Sequence, residues 1–214
     1  MHMSEPSAPA EFWEARYADS DRVWSGRVNQ ALADVAATLT PGHALDLGCG
    51  EGGDAVWLAR HGWRVNGIDL SATAVARGRA AASAAGLSED RLELVAADLA
   101  TWESDDVYDL VTASFLHSWP VLIPREEILR RATGFVAPGG YLLVVAHAAA
   151  PPWASPEMIE SNRFPSPQSD LAALALAPRS WTVLTAETKE RAAIGPDAQP
   201  AMLLDGVVLV RRNA

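Results

Sequence analysis

Asp46-Leu47-Gly48-Cys49-Gly50-Glu51-Gly52-Gly53 follows a short apolar run, Ala44 to Leu47, and precedes a helical pattern, Asp54 to Arg60, that Gly62 closes. An apolar strand feeding a glycine turn that opens a helix is the first half of a βαβ unit. Glycines there let the backbone turn tightly and let a ligand approach closer than a Cβ permits, while free N–H groups at the helix start face it. The second half follows at once. Arg64 to Ile68 reads as a strand ending at Asp69, about 20 residues beyond the first glycine, where an acid can accept both hydroxyls of a ribose. Asp69 also stands where it could cap a helix beginning near Ser71.

The alternation extends in both directions. Val28, Ala31, Leu32, Val35, Ala36 and Leu39 fall at helical spacing, so a helix precedes the first strand and ends at Pro41-Gly42. Ser71 can cap an alanine-rich helix running to Gly86, Leu92 to Ala96 reads as a third strand, and Val107 to Ala113 as a fourth. Arg125 to Val136 reads as a helix stopped by Pro138-Gly139-Gly140, and Tyr141 to Ala146 as a fifth strand, apolar enough to be buried on both faces. Beyond Ala150 five prolines, Pro151, Pro152, Pro156, Pro165 and Pro167, predict a loop with at most one short helix. Ser180 to Thr188 and Ala201 to Arg211 read as two strands pairing antiparallel around a turn from Ile194 to Pro200. The expected fold is α/β: a doubly wound, mostly parallel, seven-stranded sheet with helices on both faces and a C-terminal antiparallel hairpin.

Composition narrows the function. With 214 residues, 49% of them hydrophobic and 21% charged, the chain is expected to form one globular domain over 1–214. No run approaches the roughly 18 apolar residues of a membrane span. The single cysteine, Cys49, excludes an internal disulfide framework and a Cys-rich zinc site, which fits a reducing cytoplasm. A net charge of -10, spread without blocks, opposes non-specific binding to nucleic acid or anionic membrane and favours a small partner. Met1-His2-Met3 reads as an added start with Met3 the natural one, so His2 is left out of every site argument.

The turn and Asp69 admit NAD and S-adenosylmethionine equally. Three stretches separate them. Ala44-Leu45-Asp46-Leu47-Gly48-Cys49-Gly50-Glu51-Gly52 resembles motif I of the class I S-adenosylmethionine-dependent methyltransferases, in which an acid stands two residues before the first glycine. Ala96-Ala97-Asp98-Leu99 resembles the family's adenine contact. Tyr108-Asp109-Leu110-Val111-Thr112-Ala113-Ser114, with Pro138-Gly139-Gly140 before the fifth strand, resembles its later motifs. Phe12-Trp13-Glu14-Ala15-Arg16-Tyr17, Trp24 and Ser114-Phe115-Leu116-His117-Ser118 are similar to the branch containing tellurite-resistance and thiopurine methyltransferases, which act on small, soft or heteroaromatic nucleophiles. No NPPY-like run follows the fourth strand, so the resemblance does not extend to methylation of exocyclic amines in DNA or of glutamine side chains.

The resemblance implies S-adenosylmethionine as donor, S-adenosylhomocysteine as product and a small-molecule acceptor. It places donor contacts at Asp46, Gly48, Cys49 and Gly50 in the turn, at Asp69 and Leu70, at Asp98 and Leu99, at Ser114, and at Arg16 and Trp24. No metal is implied. Trp24, Phe115 and Trp119 are candidate aromatic faces for the sulfonium, with core packing as the alternative. His117 is the first candidate for a general base, since it follows the fourth strand on the rim where reacting groups would meet, with His147 as a second. A thiol or selenol acceptor would need no base. Residues 1–40 are expected to form a helical lid and 151–170 a substrate loop. The competing functions are an NAD(P)-dependent oxidoreductase, opposed by Asp46 and Asp98, and a non-catalytic nucleoside-binding module.

Overall fold

Leu45 and Leu47 face one way along the first strand and Ala44 the other, and that alternation sets the layering of the molecule. The computed structural model describes residues 8–161 and 164–214; Met1, His2 and Met3 lie outside the described residues. In chain order the elements are α1 (Pro9–Ala18), α2 (Gln30–Ala36), β1 (His43–Leu47), α3 (Gly53–Arg60), β2 (Arg64–Asp69), α4 (Ala72–Ala84), β3 (Leu92–Ala96), β4 (Tyr108–Ser114), α5 (Arg125–Ala132), β5 (Val136–His147), α6 (Pro156–Ser161), α7 (Pro167–Ala173), β6 (Trp181–Ile194) and β7 (Pro200–Arg212). The strands form one seven-stranded sheet in the order β3-β2-β1-β4-β5-β7-β6. Five run parallel, β7 pairs antiparallel with β5, and β6 pairs antiparallel with β7 at the edge.

Each face is covered by helices whose apolar side chains meet alternate strand residues. Leu32 and Ala36 of α2, Ala55 and Leu58 of α3 and Val75 and Ala82 of α4 pack on Ala44, Val65, Leu94, Leu143 and Val145. Ile128, Leu129 and Ala132 of α5 pack on Leu45, Leu47, Ile68, Val111, Leu142 and Val144. β1, β4 and most of β5 are therefore apolar on both faces, as a central parallel strand must be. Asp46 and Thr112 are the buried polar exceptions on β1 and β4. Among the described residues no helix is long and apolar enough to cross a membrane.

Three local expectations need correction or extension. α1 forms ahead of the predicted first helix, started by Pro9, whose fixed φ and missing N–H suit a first helical position. β5 begins at Val136 rather than after Gly140: Pro138-Gly139-Gly140 do not stop the strand but lie in its irregular stretch, where the pairing with β4 shifts register between Tyr108 and Leu110. The proline-rich stretch holds two short helices, α6 and α7, because Pro156 and Pro167 stand at helix starts; Ser166 caps α7 in a reciprocal box with Ser169.

Candidate functional site

The carboxyl ends of β1, β2, β4 and β5 converge, and the glycine turn after β1 lies at their centre. Gly48 has φ +76°, and a Cβ there would stand 3.1 Å from Leu116 Cδ1, which seats the segment after β4 against the turn. Gly50 has φ +53°, and a Cβ there would stand 3.0 Å from the Tyr17 hydroxyl and 3.4 Å from Trp24 Cδ1. Only glycine meets both demands without strain. Cys49 between them is buried, and burial followed by the charges of Asp69 and Asp46 pushes its thiol well up, so it remains an unreactive SH.

Asp69, at the end of β2, closes the turn. Its Oδ2 accepts from Gly50 N–H at 2.8 Å and its Oδ1 from Ser71 N–H at 2.9 Å. A carboxylate has about four acceptor positions, so two stay available to a ligand's hydroxyls. Asp69 does not cap α4; Ser71 does, through its hydroxyl to Ala74 N–H at 3.1 Å. Asp46 accepts from the Thr112 hydroxyl at 2.9 Å on Oδ1, while its Oδ2 is buried with no hydrogen-bond partner among the described residues. Asp54 accepts from Asn29 N–H at 2.6 Å. Burial raises all three carboxyls above the usual range. Asp46 is raised by burial and then by the charge of Asp54, with the Thr112 hydrogen bond opposing. The Ser114 hydroxyl is likewise buried without a hydrogen-bond partner of good geometry.

The N-terminal segment is fastened over this turn by four residues that the sequence reading did not assign. Glu51 accepts from Trp24 N–H at 3.0 Å and Val23 N–H at 3.2 Å and pairs with Arg77 at 3.0 Å. Arg77 donates in turn to the carbonyls of Tyr17 and Ser20. Glu14 on α1 accepts from the Ser71 and Thr73 hydroxyls at the start of α4, which holds its carboxyl below the usual range. Tyr17 is buried, and its hydroxyl accepts from Trp24 Nε1 at 2.7 Å directly above Gly50. Glu51 lies inside the quoted glycine stretch and Glu14 and Tyr17 inside the quoted N-terminal one; what the sequence lacked was the contact partner of each.

The structure brings Asp46, Gly48, Cys49, Gly50 and Asp69 together at the turn, with Trp24 and Arg16 at its rim. Arg16 is exposed, with its guanidinium 5.7 Å from the Trp24 ring and 5.8 Å from that of Trp13, and it makes no ion pair among the described residues. Leu70 is half-buried beside Asp69. Asp98 is exposed at the end of β3, its Oδ1 accepting from Ala100 N–H at 2.8 Å, while Leu99 is buried in the core. Arg131 of α5 fixes that segment through the carbonyls of Leu99, Ala100 and Trp102.

A second group gathers beyond Ser114. Phe115, His117 and His147 stack, with His147 at 4.3 Å from Phe115 and 5.1 Å from His117 between ring centres. His117 Nε2 is buried without a partner among the described residues, and burial, then His147 and Arg125, push its pKa down to about 3. His147 Nδ1 lies 3.1 Å from Asp205 Oδ1. Asp205 on β7 was not anticipated, because only the antiparallel register of β5 and β7 sets it opposite His147. Among the described residues no cluster of three His, Cys, Asp or Glu could hold a metal ion.

Residues 44–140 match the methyltransferase-domain family. The chain is 35% identical over 115 residues to ribosomal RNA small subunit methyltransferase C of Alcanivorax borkumensis, an alignment covering 52% of this chain and 34% of that one. It is 29% identical over 144 residues to a 2-heptyl-1-hydroxyquinolin-4(1H)-one methyltransferase of Mycobacteroides abscessus, covering 66% of this chain and 60% of that one. The chain thus spans about a third to three fifths of the length of these curated relatives. Three solved structures share the fold. A protein acting in echinomycin biosynthesis superposes with TM-score 0.72 at 22% identity, covering 96% of this chain and 93% of that one. N-methyltransferase NodS of Bradyrhizobium japonicum, in complex with S-adenosyl-l-homocysteine, superposes with TM-score 0.69 at 16% identity, covering 97% and 100%. TehB of Haemophilus influenzae superposes with TM-score 0.65 at 17% identity, covering 96% and 67%.

Proposed function

We propose that the chain is a class I S-adenosylmethionine-dependent methyltransferase, as its match to the methyltransferase-domain family supports, and that it transfers the donor's methyl group to a small, planar heteroaromatic acceptor. The carrying observation is the acidic cluster around the glycine turn: Asp46 and Asp69 are buried there, with the half-buried Asp54 beside them. Such a site offers the pyrophosphate of a dinucleotide no cation, whereas its carboxyls can ionise against a nucleoside bearing a sulfonium and an ammonium. That argues against the NAD(P)-dependent alternative. The unpartnered Asp46 Oδ2 and Ser114 Oγ, and the two glycines whose Cβ positions would be crowded, fit a polar, closely held ligand at this place.

When bound, S-adenosylmethionine supplies a methyl carbon already activated by positive sulfur, so no protein nucleophile is required. Asp69 and the Gly48 to Gly50 backbone would hold the ribose, Asp98, Leu99 and Leu70 the adenine side, and Asp46, Ser114 and Arg16 the amino-acid end. Trp24 and Tyr17 close the turn from above, so that the N-terminal segment serves as the lid and excludes water. The proline-rich stretch 151–170 would serve as the substrate loop.

Support for a small acceptor comes from three sides. The charge of -10 carries no basic stripe to neutralise phosphates. The rim beyond Ser114 is a stack of rings suited to another flat ring. The relative from Mycobacteroides abscessus is named for a hydroxyquinolone. An RNA acceptor is the second reading, favoured by the likeness to ribosomal RNA methyltransferase C. Titration calorimetry with S-adenosylmethionine, S-adenosylhomocysteine and NAD, on the wild type and Asp69→Ala, tests the donor. Micromolar binding of the sulfur nucleosides, weakened in the variant, is expected, and binding of NAD alone would overturn the reading. Methyl transfer to small-subunit ribosomal RNA, with none to small hydroxy-heteroaromatics, would promote the RNA acceptor.

A further inference from the structure

His147 is the last residue of β5, at the end of the sheet where β1 and β4 also stop, and it stands in direct register with Asp205 of β7. The Asp205 carboxylate is 3% exposed and accepts from both His147 Nδ1 and the Arg191 guanidinium of β6. Burial alone would raise that carboxyl, but the hydrogen bonds from His147 and Arg191 hold it below the usual range, so it stays an anion. An anion at Nδ1 fixes the tautomer with the proton on Nδ1 and the lone pair on Nε2. Nε2 makes no hydrogen bond among the described residues, and the His147 side chain keeps 34% of its surface exposed. His117 offers neither feature. Its Nε2 is buried and unpartnered, no carboxylate holds its ring, and burial beside His147 and Arg125 disfavours protonation. The groups facing His147 are thus Asp205 from β7, Arg191 behind it on β6, and Phe115 and His117 from the segment after β4. That segment touches the donor turn through Leu116 against Gly48.

We propose that His147 is the general base of the reaction, positioned by Asp205, and that the acceptor it serves is a flat heteroaromatic ring carrying an acidic hydroxyl, with the rings of Phe115 and His117 as its stacking wall. The proposal rests on the methyltransferase reading above. The acceptor O–H proton passes to His147 Nε2 while the oxygen–methyl bond forms and the methyl–sulfur bond breaks. The sulfur keeps that bonding pair and leaves as the neutral thioether of S-adenosylhomocysteine, and the imidazolium, stabilised by Asp205, gives its proton to water. Asp205 never takes the proton; it holds the tautomer and the ring.

The test combines turnover with a spectroscopic readout. Three hydroxyl probes are used: 2-heptyl-1-hydroxyquinolin-4(1H)-one, 8-hydroxyquinoline and 4-hydroxyquinoline, with thiophenol as a probe that ionises without help. His147→Asn should lower kcat with the hydroxyl probe that turns over by about 100-fold, in the range of a lost general base. With thiophenol the change should stay under about threefold. Asp205→Asn should cost about tenfold with the hydroxyl probe and under about threefold with thiophenol, since a neutral amide no longer fixes the Nδ1-protonated tautomer. In nitrogen NMR of the imidazoles, wild-type His147 should show the Nδ1-protonated tautomer, and Asp205→Asn a mixture.

An equal loss for thiol and hydroxyl acceptors, or an unchanged tautomer in Asp205→Asn, would overturn the proposal. So would normal binding of S-adenosylhomocysteine with no transfer to any of the three hydroxyl probes. Failure of S-adenosylhomocysteine to bind the wild type would instead overturn the donor reading on which the proposal rests.

Discussion

The proposed donor side and the proposed acceptor side of this molecule are built in opposite ways. Around the glycine turn, Asp46, Gly48, Cys49, Gly50 and Asp54 come from nine consecutive residues, and Asp69 follows at the end of the next strand. Around the stacked rings, Phe115, His147, Arg191 and Asp205 come from four places in the chain, joined only by β4, β5, β6 and β7 lying side by side. A site that one βαβ unit makes needs its residues at fixed spacing. A site that a sheet edge makes needs only that strands register, so its residues can change independently.

Substitutions can break this contrast or sharpen it. The largest effect is expected at Gly50→Val, which puts a β-branched side chain at φ +53° and a Cβ 3.0 Å from the Tyr17 hydroxyl. The affinity for S-adenosylhomocysteine should fall by at least about 100-fold, equivalent to about 2.7 kcal/mol, in calorimetry. Asp69→Ala should come next. It strips Gly50 N–H and Ser71 N–H of their acceptor, and unsatisfied buried donors cost about 1–3 kcal/mol each, so both the melting temperature and the ligand affinity should drop.

Asp46→Asn probes the acidic cluster through pH. A carboxyl raised in the folded state contributes stability that is full below its unfolded value, near 3.8, and that is lost as pH rises through its folded value, near 8. The wild-type melting temperature should therefore decline across that window, and the asparagine variant should flatten the decline by about 5 °C. Binding of the cationic donor should release protons over the same window, visible as a dependence of calorimetric enthalpy on buffer. No release would mean that the cluster does not face the donor's charge.

The smallest effect is expected at Arg77→Ala. It frees the carbonyls of Tyr17 and Ser20 and one partner of Glu51, leaving the turn itself intact. Affinity for S-adenosylhomocysteine should weaken by about fivefold, about 1 kcal/mol, and limited proteolysis between α1 and α2 should quicken.

These contrasts explain what could be read in advance. The parallel core was legible because β1, β2, β3 and β4 are bounded by glycines, acids and caps that act within a few residues; Leu92 to Ala96 is placed to the residue. The likeness to a methyltransferase domain over residues 44–140 was legible because the motifs that carry it are local. Pro138 misled because its effect depends on where the strand lies in the sheet: beside a register shift it costs no ladder bond. Pro156 and Pro167 misled for the same reason, since a proline that ends one helix can begin another. Asp205 was invisible because nothing near it in sequence names its partner, 58 residues away. His117 drew attention by position alone, whereas the hydrogen bond that orients an imidazole was at His147.

β6 leaves one edge of the sheet open, and the sequence there bears on how copies of the chain behave in concentrated solution. An edge strand with unpaired N–H and C=O groups is a template for another strand. This one carries Glu187, Lys189, Glu190 and Arg191 in close succession and shifts register between Val183 and Thr185, so a second copy meets alternating charge and a local kink where it would need a flat ladder. The exposed Val183 and Leu184 sit at that kink, where their stickiness is least able to propagate. The same strand that holds Arg191 behind the stacked rings thereby also guards the protein against edge-to-edge aggregation.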